Sequence, residues 1–163
     1  MEGHLEQRDA CFVRVRTCSG MEAGTSRTRI DPLSTERFVS LRRALGVTTF
    51  GINQMVLGPG QRMRIHRHQR QEEVYLVLEG RLTILIEAQE TDLEPGELMR
   101  IGPDVRRQLV NRGPGRVVLV ALGADGDHDG RDAEAFKSWE QQAAAPPQDV
   151  PFPDDLGPAE LRS

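Results

Sequence analysis

The chain has 163 residues and a mass of 18.2 kDa, the size of one domain. Its 21 Lys and Arg against 25 Asp and Glu leave a formal charge of -4, which carries no electrostatic footprint for nucleic acid. Hydrophobic residues are 37% of the chain, and the longest useful apolar run, Val117 to Leu122, falls far short of the roughly 20 residues a spanning helix needs, so no membrane partner is expected.

Residues 1–30 mix Arg, Thr, Ser and Gly with no sustained period, include a second methionine at Met21, and read as a flexible N-terminal extension. Glu2, Glu6, Arg8, Asp9, Arg14 and Arg16 interrupt any signal-peptide stretch there, so a cytoplasmic location is expected. Cys11 and Cys18, with six residues between them, fit neither a redox nor a zinc spacing and read as reduced, incidental thiols. Over 31–46, Asp31-Pro32 resembles a helix start, and Phe38, Leu41 and Leu45 recur at helical spacing up to Gly46, which predicts a short helix. From Val47 the texture becomes that of strands: VTTFGINQMVL, RMRIHRH, EVYLVLEG, RLTILIEA, ELMRIG, VRRQLVN and RVVLVALG, each closed by Gly, Pro, Asn or Asp. Such dense short strands without helical interludes predict an all-β, antiparallel sandwich or small barrel over 47–123. Residues 124–142 read as a polar loop, GADGDHDG, then a helix placing Ala133, Phe136 and Trp139 roughly on one side. Residues 143–163 hold Pro146, Pro147, Pro151, Pro153 and Pro158, half of the chain's 10 prolines, and are expected to be extended or disordered.

The chemistry concentrates in Gly60 to Gly80, GQRMRIHRHQRQEEVYLVLEG. On a strand, His66 and His68 send both rings to one face, and a hairpin return brings Glu73 beside them. Two imidazoles and a carboxylate form a ligand set for Zn, Mn, Fe, Ni or Cu as the divalent ion; the alternative is a hydrogen-bonded cluster inside a barrel with no metal. Glu72 replaces Glu73 if the connecting loop is one residue shorter. Arg64 shares the parity of the two histidines and is a candidate for binding an anionic ligand, or else a rim arginine reaching solvent. Tyr75 shares the parity of Glu73 and is a candidate acid or base, or a buried barrel tyrosine. Gln54, or Asn53, is a candidate pocket residue if its strand is regular. His4 and His128 are the only other histidines, and Asp125, Asp127, Asp129 and Asp132 around His128 lack the spacing of a calcium loop and read as a polar turn. Strand alternation splits Arg62, Arg64, Arg67 and Arg70 between two faces, which argues against a nucleic-acid patch.

Gly60, five residues, His66, one residue, His68, four residues, Glu73, six residues and Gly80 resemble the first motif of the cupin superfamily at every fixed position. The second cupin motif reads G-x5-P-x-G-x2-H-x3-N; in Gly96 to Asn111 the two ends match, while Gly102 replaces the proline, Asp104 the second glycine and Arg107 the histidine. The resemblance spans residues 47–123 and implies a jelly-roll barrel, commonly a homodimer, with His66, His68 and Glu73 as metal ligands and a departure at the fourth ligand. It implies no single activity, since cupins include dioxygenases, isomerases, decarboxylases, epimerases, sensors and storage proteins. Arg107 divides the expectation. In one reading the triad holds a metal, Arg107 anchors a small anionic metabolite, and the chain is a metal-dependent oxygenase or isomerase. In the other, Arg107 pairs with Glu73 in place of the metal, and the protein is a non-catalytic ligand-binding or sensing cupin. A purely structural module, resting on the charged flanks and Pro-rich tail, is a third.

Overall fold

The computed structural model of the chain describes residues 24–124 and 132–162. The readings of His4, Cys11, Cys18, Asp125, Asp127, His128 and Asp129 fall outside these residues. Alternation of large apolar side chains builds two five-stranded antiparallel sheets that face each other as a β-sandwich barrel. One sheet has the order β1-β2-β9-β4-β7, formed by Phe38–Ser40, Gly51–Leu57, Val117–Ala124, Glu72–Glu79 and Leu98–Ile101. The other has the order β10-β3-β8-β5-β6, formed by Ala133–Phe136, Ile65–His68, Arg107–Val110, Leu82–Ile86 and Gln89–Leu93. The first sheet turns Met55, Leu57, Tyr75, Val77, Leu119 and Ala121 inward, against Met63, Leu82, Ile84 and Leu109 on the second sheet's side. This is the all-β fold expected, and all seven expected strand segments contain strands. No helix of the described residues is long and apolar enough to cross a membrane.

Three strands lie where none was expected, and two correct a predicted helix. Over 31–46 only Arg42–Leu45 is helical (α1), closed by Gly46 at φ 66°; Phe38 instead pairs with Met55 as the edge strand β1. The helical spacing of Phe38 with Leu41 and Leu45 was local, and backbone pairing with β2 outweighs it. Over 124–142 the expected helix is replaced by β10, which pairs with β3 so that Ala133 faces His68 and Ala135 faces His66. Pairing with β3 decides this: Glu134 accepts from Arg67 Nε (2.7 Å) and Gln69 Nε2 (2.7 Å), while Ala135 and Phe136 are buried. The third strand, β6, is exposed at four of its five residues and carries no apolar signal.

The Pro-rich end is irregular but docked. Ala145 bridges to Ala135, Val150 is buried, and Leu156 N–H donates to Gly60 O at 2.8 Å. That last contact gives Gly60 its reason: at φ 76°, a Cβ there would lie 2.9 Å from Leu156 O. Gly80 is tighter still, with a Cβ position 2.3 Å from Arg116 O.

Candidate metal centre

β3 and β4 are consecutive strands in opposite sheets, and the connection Gln69–Gln71 carries the chain across the barrel from the two histidines to Glu73. The side chains meet between the sheets: one ligand atom from each of His66, His68 and Glu73 lies within 4.8 Å of the others. His66 Nε2 is 3.5 Å and His68 Nε2 is 3.4 Å from the same oxygen, Glu73 Oε2. Glu72 is not part of the group; it is exposed and pairs with Arg100.

The far nitrogen of each ring is turned toward an acceptor. His66 Nδ1 lies 3.1 Å from the backbone oxygen of Arg64, which only accepts, an arrangement that suits a proton on Nδ1 whenever Nε2 serves as a metal ligand. His68 Nδ1 faces Asp132 Oδ2 at 3.6 Å and has no hydrogen-bond partner among the described residues. Asp132 is itself fixed by the N–H groups of Gln71 (2.8 Å) and Arg70 (3.2 Å). Burial alone would raise the Asp132 carboxyl, but those backbone donors outweigh it and hold the group below its ordinary range, so it stays an acceptor. Sequence reading placed Asp132 in a polar turn; a carboxylate that reaches the site from outside the strands leaves no periodic signal.

Beneath the triad lies the departure from the second motif. Arg107 is fully buried and adjoins His66 across the β3–β8 ladder. Its Nη2 donates to Glu73 Oε2 at 2.6 Å, its Nη1 to Val105 O at 3.0 Å, and its Nε to the Tyr75 hydroxyl at 3.3 Å. Tyr75 in turn donates to Glu73 Oε2. One carboxylate oxygen thus collects two imidazoles, a guanidinium and a phenol. Burial would raise the Glu73 carboxyl, yet His66, His68 and Arg107 together hold it well below the carboxylate range. Burial pushes His66 below its ordinary range, with Arg107 adding to the shift, and burial with the Glu73 charge pushes the Tyr75 phenol well above its own.

Above the triad a cavity of about 780 Å³ opens between the sheets, lined by His66, His68, Glu73, Arg64, Gln71 and Asn53 and, at its rim, by Phe38, Arg42, Arg43 and Phe152. Arg64 is therefore placed where parity put it. Its guanidinium lies over the Phe152 ring at 3.8 Å from the centroid, and its Nε donates to Val150 O. Three expected ligand-binding or catalytic residues do not line this cavity. Arg107 and Tyr75 lie behind Glu73, engaged with it. Gln54 points out of the barrel, where its amide bonds the N–H and C=O of Asp31, each at 2.7 Å; Asn53, one residue before, faces in. Gln71 was missed.

A two-sheet β-barrel with this triad between its sheets defines a jelly roll built around a histidine and carboxylate cluster. The barrel is a cupin: the family model described as the cupin domain matches residues 53–123. No curated protein matches the chain. Among solved structures, a cupin protein from Bacteroides fragilis is 22% identical with a TM-score of 0.56, over 67% of this chain and 92% of that one. A sugar phosphate isomerase from a cupin superfamily of Silicibacter pomeroyi is also 22% identical with a TM-score of 0.56, over 85% of this chain and 99% of that one. These two likenesses are of fold. A structure from Acidithiobacillus ferrooxidans, provisionally named a sugar phosphate isomerase, is 26% identical with a TM-score of 0.50 over 53% of this chain, which spans 57% of that one.

Proposed function

We propose that the protein binds a divalent transition metal through His66, His68 and Glu73 and, beside it, a small anionic metabolite whose charged group rests on Arg64. The observation that carries this is the direction of the donors: with Nδ1 of His66 turned to a carbonyl and Nδ1 of His68 to a carboxylate, both Nε2 atoms converge on a carboxylate oxygen. Imidazoles whose outer nitrogens face a carbonyl and a carboxylate while their inner nitrogens converge on a second carboxylate are the usual arrangement of a metal site. The mixed nitrogen and oxygen set suits Fe, Mn, Zn, Ni or Cu. Bound there, the ion supplies Lewis-acid polarisation of a ligand oxygen. The chain's own residues orient the rings, exclude water below the site and hold the anion. The name of the Acidithiobacillus structure supports isomerisation of a phosphorylated sugar over oxidation.

One observation favours a second reading, a metal-free ligand-binding or sensing cupin: Arg107 already neutralises Glu73. A divalent ion about 5 Å from a guanidinium is repelled by roughly 7 kcal/mol at an effective dielectric near 20. The Glu73 carboxylate between the two offsets much of that repulsion. Elemental analysis by plasma mass spectrometry, on protein purified without a nickel column, separates the readings. Near-stoichiometric metal in the wild type and none in a His66→Ala, His68→Ala variant is expected. A wild type that stays metal-free after exposure to each of the five ions overturns the metal reading.

A further inference from the structure

Gln71 brings to the cavity a side-chain carbonyl with no partner among the described residues. The residue is only 5% exposed. A buried carbonyl left unpaired costs about 1–3 kcal/mol. The fold nonetheless makes room for it. Gly123 lies opposite Glu73 in the β4–β9 ladder, and a Cβ on it would stand 2.6 Å from Gln71 Nε2 and 3.1 Å from Glu73 Cγ. The missing side chain at Gly123 is therefore what lets the amide and the carboxylate share this end of the cavity. The Gln71 N–H, donating to Asp132, fixes the backbone from which the amide projects.

The unpaired acceptor at that end calls for a donor. Glu73 and the Gln71 carbonyl both accept, so a ligand atom between them must donate. A hydroxyl does so, and because it also accepts, it pairs with the amide in either orientation. The cationic end is elsewhere. Arg64 is two residues before His66 on the cavity side, about 6.6 Å away along an extended strand. Among the described residues its guanidinium is bonded only through Nε and stacked on Phe152. A phosphate on Arg64 and a hydroxyl at Gln71 would occupy different parts of the one cavity that both residues line.

We propose that Gln71 is a ligand-recognition residue whose carboxamide hydrogen-bonds a hydroxyl at the metal-side end of a phosphorylated polyol anchored on Arg64. This rests on the reading of the cavity as a metal and anion site. It adds that Gln71 distinguishes hydroxylated from deoxygenated forms of that ligand. A site built to hydrogen-bond a hydroxyl discriminates strongly against an analogue that lacks it.

The test is calorimetric titration of the full-length, Mn(II)-loaded protein with glycerol phosphate, propyl phosphate and inorganic phosphate. The wild type is expected to bind glycerol phosphate at least about tenfold more tightly than propyl phosphate. Gln71→Met, which keeps the length but removes the polar end, is expected to bring the two within about threefold while leaving Mn(II) uptake and inorganic phosphate binding in place. Gln71→Glu retains an acceptor and is expected to retain the preference. Equal binding of the two esters by the wild type, a preference that survives in Gln71→Met, or an equal weakening of every ligand in both variants overturns the proposal. Failure of the wild type to take up Mn(II) instead strikes at the metal reading, and the ester comparison still decides the role of Gln71.

Discussion

Arg107 changes the meaning of the triad more than any other single residue. It is fully buried and tied to Glu73, Tyr75 and a backbone carbonyl, so it acts on ligands only through the carboxylate it holds. Removing one member of a buried ion pair strands the other, at a cost of about 3–5 kcal/mol. Arg107→Met is expected to lose about that much stability in chelator and to regain more of it on adding Mn(II) than the wild type does, because the released carboxylate then serves the ion. Denaturant unfolding with and without metal measures this; an equal metal response in the two proteins counts against the triad as a metal site. The residues of the triad were legible because His66, His68 and Glu73 lie on two consecutive strands at fixed spacing. Arg107 stood out as the departure at the position of a ligand, with its two possible roles stated. Gln71 and Asp132 were not legible, because their side chains arrive from segments whose direction no period defines. The choice between Gln54 and Asn53 could not be made from the sequence because their strand is apolar on both faces, Ile52 and Val56 sharing the side of Gln54 and Met55 and Leu57 that of Asn53.

At the scale of elements, the seven strands rich in apolar residues and closed by turn residues could be read directly, and the three that were missed are edge strands or polar. β5 and β6 are joined by Glu87 and Ala88, at φ 46° and 67°, the left-handed pair of a tight hairpin turn. Glu87 compensates by accepting from Arg106 N–H at 2.7 Å, but Ala88 has no such role. Ala88→Gly is therefore expected to stabilise the protein by about 0.5–1 kcal/mol, read as a higher urea midpoint at unchanged slope. A lower midpoint would show that the turn is not strained. The second motif holds its shape by the same rule despite its altered letters: Asp104, in place of a glycine, sits at φ 61°, a conformation that aspartate tolerates, and its N–H donates to His68 O at 2.8 Å.

Across the whole molecule, the final twenty residues turn from a tail into a wall. Composition alone suggested extended or disordered chain; the segment instead carries two short 3-10 turns, Pro147–Asp149 and Pro158–Glu160, and packs on the barrel. Val150 is buried, Phe152 is stacked under Arg64 with Arg37 5.2 Å from its centroid, and Arg162 pairs with Asp92 at 3.1 Å. Deleting residues 146–163 is expected to lower the melting temperature by about 5 °C or more, given about 2 kcal/mol for the apolar burial and packing lost. The same deletion is expected to weaken inorganic phosphate binding, since Arg64 loses both of its supports. Unchanged phosphate affinity in the truncated protein would detach the tail from the site.

The stacking of Phe152 on Arg64 has a reciprocal side. If the proposed anion rests on Arg64, one guanidinium seats both it and the C-terminal segment, so the two occupancies are linked, and each alters the other by the same factor. An anion that favours the stacked arginine clamps the chain end onto the barrel. A macromolecule that captures this end would loosen the anion in equal measure, so the contents of the cavity can be sensed from outside without any opening of the barrel.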